Sequence, residues 1–336
     1  MELLGLTPQL AALFVGFGFM VGVFFGFFGM GGSFLVTPTL LILGYPAPVA
    51  IGSSMAFVFG TAVIATLKHH DVGQVDYKLG ALMFVGIAVG IEAGKMLVFF
   101  LEALGRAEVV VGSAYVVLLA AIGGVFVRSA AGGDSADSAD SEGGDGSEDD
   151  IPDIAKKIKS YTIPPMVTLT DGSKASMWTI SGVGGGVGVV SGFLGVGGGF
   201  IRMPAIYYII GVPLAAAVGT SLFGALMSGA VGAFTYGLSG VIDLGVVTAL
   251  LVGSALGARI GSAATAYVDE DDVTIYFGVM LLLASIAVAA GELATWLDAP
   301  VLDTVSFVLL VGSAAFVTAV IFYYGATAVR NGTRVG

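Results

Sequence analysis

Two glycine clusters mark the places where this chain could do chemistry. The first, Gly29-Met30-Gly31-Gly32-Ser33-Phe34, and the second, Gly195-Val196-Gly197-Gly198-Gly199-Phe200, each interrupt an apolar stretch. Pro38 and Pro204 follow them at the same spacing. A helix that starts on such a cluster presents unpaired N–H groups and the positive end of its dipole, and glycine lets a ligand reach that backbone. The chemistry this suits is anion binding through bare amides. Arg202 stands just beyond the second cluster, where the first has Val36. Ser53 and Ser54 after Gly52, and Thr220 and Ser221 after Gly219, are hydroxyl pairs that could hold an oxyanion or cap helix starts. Arg259 lies inside a further apolar segment and its counterpart in the first half is Glu92, which can pair with Lys95 one turn on. An arginine at membrane depth costs about 2.5–3.5 kcal/mol. Arg202, and as a second candidate Arg259, must therefore face a partner, an interface or an anion.

The elements around these residues are membrane helices. The chain of 336 residues is 57% hydrophobic and 11% charged, against about 25% charged in soluble domains. In lipid the backbone must satisfy its own hydrogen bonds, which leaves helices or a closed barrel. The apolar runs are continuous rather than alternating, so helices are predicted. They fall at about 8–29, 33–43, 48–67, 77–101 and 107–127, then 178–196, 199–210, 214–236, 244–267 and 273–291, with 303–327 left over. The second segment of each half is too short to span alone, since eleven helical residues rise only about 16 Å. Segments 33–43 and 199–210 read as half-helices or broken helices.

The two halves match. Gly26, Phe27, Gly29, Gly31, Gly32, Phe34 and Pro38 align without a gap on Gly192, Phe193, Gly195, Gly197, Gly198, Phe200 and Pro204. The triple Gly18, Gly22, Gly26 recurs as Gly184, Gly188, Gly192, and Gly86, Gly90, Gly94 recurs as Gly253, Gly257, Gly261. A shared offset across several motifs indicates duplication. Glycine at every fourth position lines one helix face and permits close packing. Interrupted apolar segments at matching places in two halves are the pattern of a transporter's binding region. The expected fold is an all-α polytopic membrane protein of two homologous multi-helix repeats, with short broken helices after the glycine turns. Residues 1–127 form the first repeat, 128–176 an acidic soluble linker, 177–295 the second repeat, and 296–336 an extra helix and tail.

The linker stretch 130–150 is Gly, Ala, Ser and acid without an aromatic, too polar to order itself. Topology has two solutions. If every segment crosses, the repeats are inverted, and the loop basic residues Lys68, Lys78, Arg128, Lys156–Lys159, Arg330 and Arg334 lie on one side, as the positive-inside rule prefers. If the short segments re-enter, the repeats are parallel, and the sequon Asn331-Gly332-Thr333 becomes usable. Charge placement leans toward the inverted solution.

Several classes are excluded. The net charge of −11 argues against nucleic acid and suits a halophilic source. Cysteine is absent, so there are no disulfides or thiolate metal sites. His69 and His70 alone do not make a metal site, and they read as a loop end, with proton coupling the alternative. No cofactor, metal or catalytic set is expected, and the chain does not read as an enzyme. Trp178 and Trp296, at segment ends, read as interfacial anchors.

The duplicated G-x-x-G-x-G-G-[GS]-F…P, followed by G-[ST]-S, resembles the TauE/SafE sulfite exporter family. The likeness covers about 10–101 and 180–267. It implies a permease in the cell membrane for small anions such as sulfite or sulfonates, working without ATP. It points to Gly29–Phe34, Pro38, Gly52–Ser54, Gly195–Phe200, Pro204 and Gly219–Ser221. Ser33 stands where the second copy has Gly199, so the half-sites need not bind alike. The reading is a secondary transporter acting by alternating access, with the broken helices of both halves meeting near the midplane; the alternative is a passive anion channel. Implied partners are the small anion, a coupling ion (proton or sodium) and lipid. Oligomeric state, substrate and direction stay open.

Overall fold

The protein is described by a computed structural model covering residues 5–28, 32–69, 77–132, 164–168, 174–210, 212, 214–265, 267–268, 270–297 and 299–331. Among these, eleven helices follow the segments read from hydropathy. They are α1 (Pro8–Phe28), α2 (a 3-10 turn Gly32–Leu35 leading into Val36–Ile42), α3 (Ala47–His69), α4 (Tyr77–Ala103) and α5 (Ala107–Gly132). After these come α6 (Met177–Leu194), α7 (Gly199–Ala205, ending in a π turn Ile206–Ile210), α8 (Leu214–Leu238), α9 (Leu244–Ala264), α10 (Glu270–Leu297) and α11 (Pro300–Asn331). Seven of them, α1, α4, α5, α6, α9, α10 and α11, are long and apolar enough to cross a membrane. The chain is an all-α polytopic membrane protein.

Local chemistry sets the helix ends. Thr7 Oγ1 accepts from Leu10 N at 3.4 Å, and Pro8 opens α1 where its missing N–H costs nothing. Asp243 caps α9 by accepting from Val246 N at 3.1 Å. One element was not anticipated: strands β1 (Met166–Thr168) and β2 (Lys174–Ser176) pair antiparallel ahead of α6. The linker 133–163, His70, Asp71 and the rest of the sequon after Asn331 lie outside the described residues.

The helices sort into two compact units, each drawing on both predicted repeats. The first holds α1, α2, the start of α3, the end of α4, α5 and α9–α11. Its tightest seam is α1 against α9. A Cβ at Gly18, Gly22 or Gly26 would stand 2.3, 2.5 or 2.2 Å from the carbonyl oxygens of Leu250, Ser254 and Ala258. Reciprocally, Gly253, Gly257 and Gly261 bear on the carbonyls of Val15, Phe19 and Val23. Partners advance together along both helices, so α1 and α9 run parallel. In contrast, α5 and α10 are antiparallel: Gly112 meets Glu292, Ser285 Oγ donates to the Val116 carbonyl at 2.8 Å, and Phe126 meets Phe277.

The second unit holds the rest of α3 and α4, the two strands, and α6, α7 and α8. Here α4 lies parallel to α6 through the other two triples. A Cβ at Gly86, Gly90 or Gly94 would be 2.0, 2.2 or 2.4 Å from the oxygens of Ser181, Gly185 and Val189. Gly184, Gly188 and Gly192 bear on Met83, Ile87 and Ile91. Helices α3 and α8 are antiparallel, with Met55 against Gly232 and Phe59 against Gly229.

Candidate functional site

The two glycine clusters are furnished differently where they lead into α2 and α7. In the first unit, Gly29 and Gly31 lie outside the described residues, and the turn is seen from Gly32 onward. Ser33 is buried, and its carbonyl accepts from Ser54 Oγ at 3.5 Å. Ser53 Oγ accepts from Asp243 N at 2.9 Å. Phe34 sets its ring edge-on to Phe277. Val36, Thr37 and Pro38 are buried where the 3-10 turn passes into the α-helical part of α2. Nearby Tyr45, in the loop after α2, has its phenol pushed above the usual range by burial and then by Asp243. This turn carries no charge of its own.

In the second unit, Gly195 ends α6 in the left-handed region (φ 76°) and Gly198 opens α7 there too (φ 74°), conformations that side chains resist. Ser221 Oγ donates to the Gly199 carbonyl at 2.9 Å. This is the bond that Ser54 makes to Ser33, between the corresponding residues of the other half. In both copies the hydroxyl ties the long helix to the glycine turn. Thr220 is fully buried beside Ser221. The side chains of Phe200 and Pro204, and Gly219 beyond its helical backbone, lie outside what is described.

Arg202 is the asymmetric feature. Its side chain is 0% exposed. Nη1 donates to the Ser221 carbonyl at 3.1 Å, and Nη2 donates to the Gly197 carbonyl at 3.1 Å and to Ser228 Oγ at 3.0 Å. Nε has no partner, nor has the buried hydroxyl of Ser191. All the acceptors are neutral, and among the described residues no carboxylate pairs with this cation; the one ion pair joins Lys95 to Glu92 at 3.6 Å. The turn is closed tightly around the guanidinium. A Cβ at Gly224 would lie 2.7 Å from Arg202 Cδ, and one at Gly198 would lie 2.5 Å from Ser191 Oγ and 3.2 Å from Arg202 Nη2.

The structure therefore brings Gly197, Gly198, Gly199, Arg202 and Ser221 into one cluster. Ser191, Gly224 and Ser228 belong to it and were not read from the sequence. Ser228 follows Ser221 at a spacing that shares a helix face, a signal available in the sequence. Arg259 is elsewhere: it is exposed on α9, away from the glycine face that meets α1. Lys95, besides Glu92, donates to the Thr235 carbonyl at 2.8 Å.

A bundle of apolar spanning helices, interrupted by glycine turns and holding a buried arginine, defines a polytopic membrane protein. Comparison with known proteins gives the family: residues 14–288 match the family model described as "Sulfite exporter TauE/SafE". The chain belongs to that family and is a multi-pass protein of the cell membrane. It is 27% identical over 229 residues to a "Probable membrane transporter protein" of Xylella fastidiosa, covering 65% of this chain and 70% of that one. It is 24% identical over 228 residues to "Probable membrane transporter protein MJ0441" of Methanocaldococcus jannaschii, covering 66% and 68%. No solved structure matches.

Proposed function

We propose that this transporter is a secondary permease for small anions, sulfite or organosulfonates, and that Arg202 supplies the positive charge they bind. The observation that carries the reading is a fully buried guanidinium bound only by neutral oxygens. A cation placed there without a carboxylate is costly unless something else repays it, and an anionic substrate would. The turn around Arg202 is closed, as one phase of alternating access requires, and substrate entry opens it. Gly197–Gly199 supply backbone N–H groups beside Arg202 at the start of α7. Arg259, being exposed, plays a lesser part at most.

The repeats, 1–127 and 177–295 joined by the linker 128–176 and followed by the added helix 296–336, are inverted in this proposal. The support is directional. Residues 265–269 extend at most about 18 Å, too little to recross a roughly 30 Å membrane, so α10 runs opposite to α9. Since α5 is antiparallel to α10 and α1 parallel to α9, α1 and α5 cross in the same sense. The chain must then return between them in an odd number of crossings, which three, by α2, α3 and α4, satisfies and two, with α2 alone re-entrant, does not. The antiparallel pairs α3 with α8 and α5 with α10 join helices at the same place in each half, as inverted repeats would.

The test is binding to the purified protein. A ligand at 100 times its Kd stabilises the folded state by about 2.7 kcal/mol. Sulfite or a small sulfonate should raise the unfolding temperature, while a neutral analogue of the same size should not. Equal shifts with both would remove the anion site.

A further inference from the structure

The first unit carries a group that the anion-binding account does not use. Among the described residues Glu92 lies mid-span on α4, and Glu292 lies within the last third of the span of α10. Glu92 has Lys95 beside it at 3.6 Å. Glu292 has no such partner. It lies within the span Val273–Leu297, is half-buried, and no hydrogen bond or ion pair to its carboxyl is found among the described residues. Its Oε1 is pressed onto the bare backbone of Gly112 on α5, where a Cβ would come within 1.8 Å of it. Only glycine at 112 allows that approach.

The segments packed against α10, namely α5, α11 and α2, place no cation on the Glu292 carboxyl among the described residues. From α5 come Glu108, one turn before Gly112 and exposed, and the buried Tyr115 one turn after. Arg106 precedes α5 in the exposed loop. From α11 come Asp303, exposed, and Ser306, whose hydroxyl donates to the Ala287 carbonyl at 2.6 Å. Ile42 of α2 and Ser306 pack on the neighbouring Gly291, and α2 carries no titratable residue. A carboxylate at this depth has neither a cation nor a donor to offset its lost hydration.

We propose that Glu292 is a proton-binding site, and that its proton is the coupling ion of transport. The carboxyl takes up one proton from water at the Glu108 end of α5 when an anion binds, and releases it on the other side as the anion leaves. One proton moves with one monoanion, a sulfonate or sulfite as hydrogensulfite, and no net charge crosses. The coupling half of this rests on the anion-permease reading; proton binding at Glu292 does not, and the experiment separates them.

The first arm is infrared difference spectroscopy of the purified full-length protein across a pH titration. The carbonyl stretch of a protonated carboxyl should be present in wild type, be absent in Glu292→Gln, and return shifted in Glu292→Asp. A band that persists unchanged in Glu292→Gln would overturn the site whatever the protein carries. The second arm uses labelled sulfite in proteoliposomes. With one proton per anion, a one-unit pH gradient supports roughly tenfold accumulation in wild type. Glu292→Gln should abolish that accumulation while sulfite–sulfite exchange continues. Accumulation at the wild-type level in Glu292→Gln would overturn the coupling. Absence of any sulfite flux in wild type would overturn the permease reading and with it the coupling, leaving the infrared result to decide the proton site.

Discussion

Replacing Arg202 by Gln removes the charge and leaves a shorter polar side chain. Two ledgers follow. In the empty protein the variant loses the bonds to the Ser221 and Gly197 carbonyls and to Ser228 Oγ. The Gly197 carbonyl stays satisfied, because Ser228 Oγ also donates to it at 2.7 Å. The variant is also relieved of burying a cation. These terms oppose one another, and the net change in stability should be within about 2 kcal/mol of zero. In the anion complex nothing offsets the loss. A hydrogen bond to a charged group contributes about 1.5–3 kcal/mol, which corresponds to roughly tenfold to 150-fold in affinity. The assay is sulfite-dependent thermal stabilisation of wild type and Arg202→Gln side by side. The expected result is a near-normal unfolding temperature without ligand and a stabilisation curve displaced at least tenfold to higher concentration. A folded Gln variant with the wild-type curve would refute the reasoning.

Further outcomes follow from the packing. Gly22→Ala places a Cβ 2.5 Å from the Ser254 carbonyl oxygen, whereas Gly16 has nothing within 4 Å. The first substitution should cost about 1–3 kcal/mol by forcing α1 from α9, and Gly16→Ala should be neutral or slightly stabilising, as thermal unfolding in detergent will report. Because the chain has no cysteine, Gly105→Cys and Tyr267→Cys can be labelled singly in sealed vesicles; inverted repeats expose them on opposite faces, parallel repeats on the same face. Ser221→Ala removes one part-buried bond to the Gly199 carbonyl and should destabilise by about 0.5–1.5 kcal/mol in thermal unfolding.

Much of the fold was legible because membrane helices announce themselves by length. The segment read as 8–29 is α1, Pro8–Phe28, and the two short segments are α2 and α7, broken as expected after glycine turns. The glycine triples were legible as contact faces. Their partners were not, since fourfold spacing marks one face of a helix and says nothing of which helix meets it or in what direction. That Gly22 packs on Ser254 while Gly188 packs on Ile87 emerges only in three dimensions. The hairpin of β1 and β2 was missed because its strands are three residues each, although Asp171-Gly172 between them is a turn signal. For Arg202, the sequence left a partner carboxylate, an interface and an anion open. Its burial among carbonyls decides against an interface, and the identity of those carbonyls depends on a turn whose shape no side chain encodes. The hydroxyls of Ser54 and Ser221 donate to the Ser33 and Gly199 carbonyls, a tie within each unit that is neither of the two roles read from the sequence, oxyanion binding and helix capping.

The central claim is that a carrier for small anions works through the buried arginine. Radiolabelled sulfite flux into proteoliposomes of the purified chain tests it most directly. Saturable uptake accelerated by unlabelled sulfite inside the vesicle, and strongly reduced in Arg202→Gln, is what the account predicts. Unitary currents in planar bilayers, or flux that ignores both internal sulfite and the loss of Arg202, would contradict it.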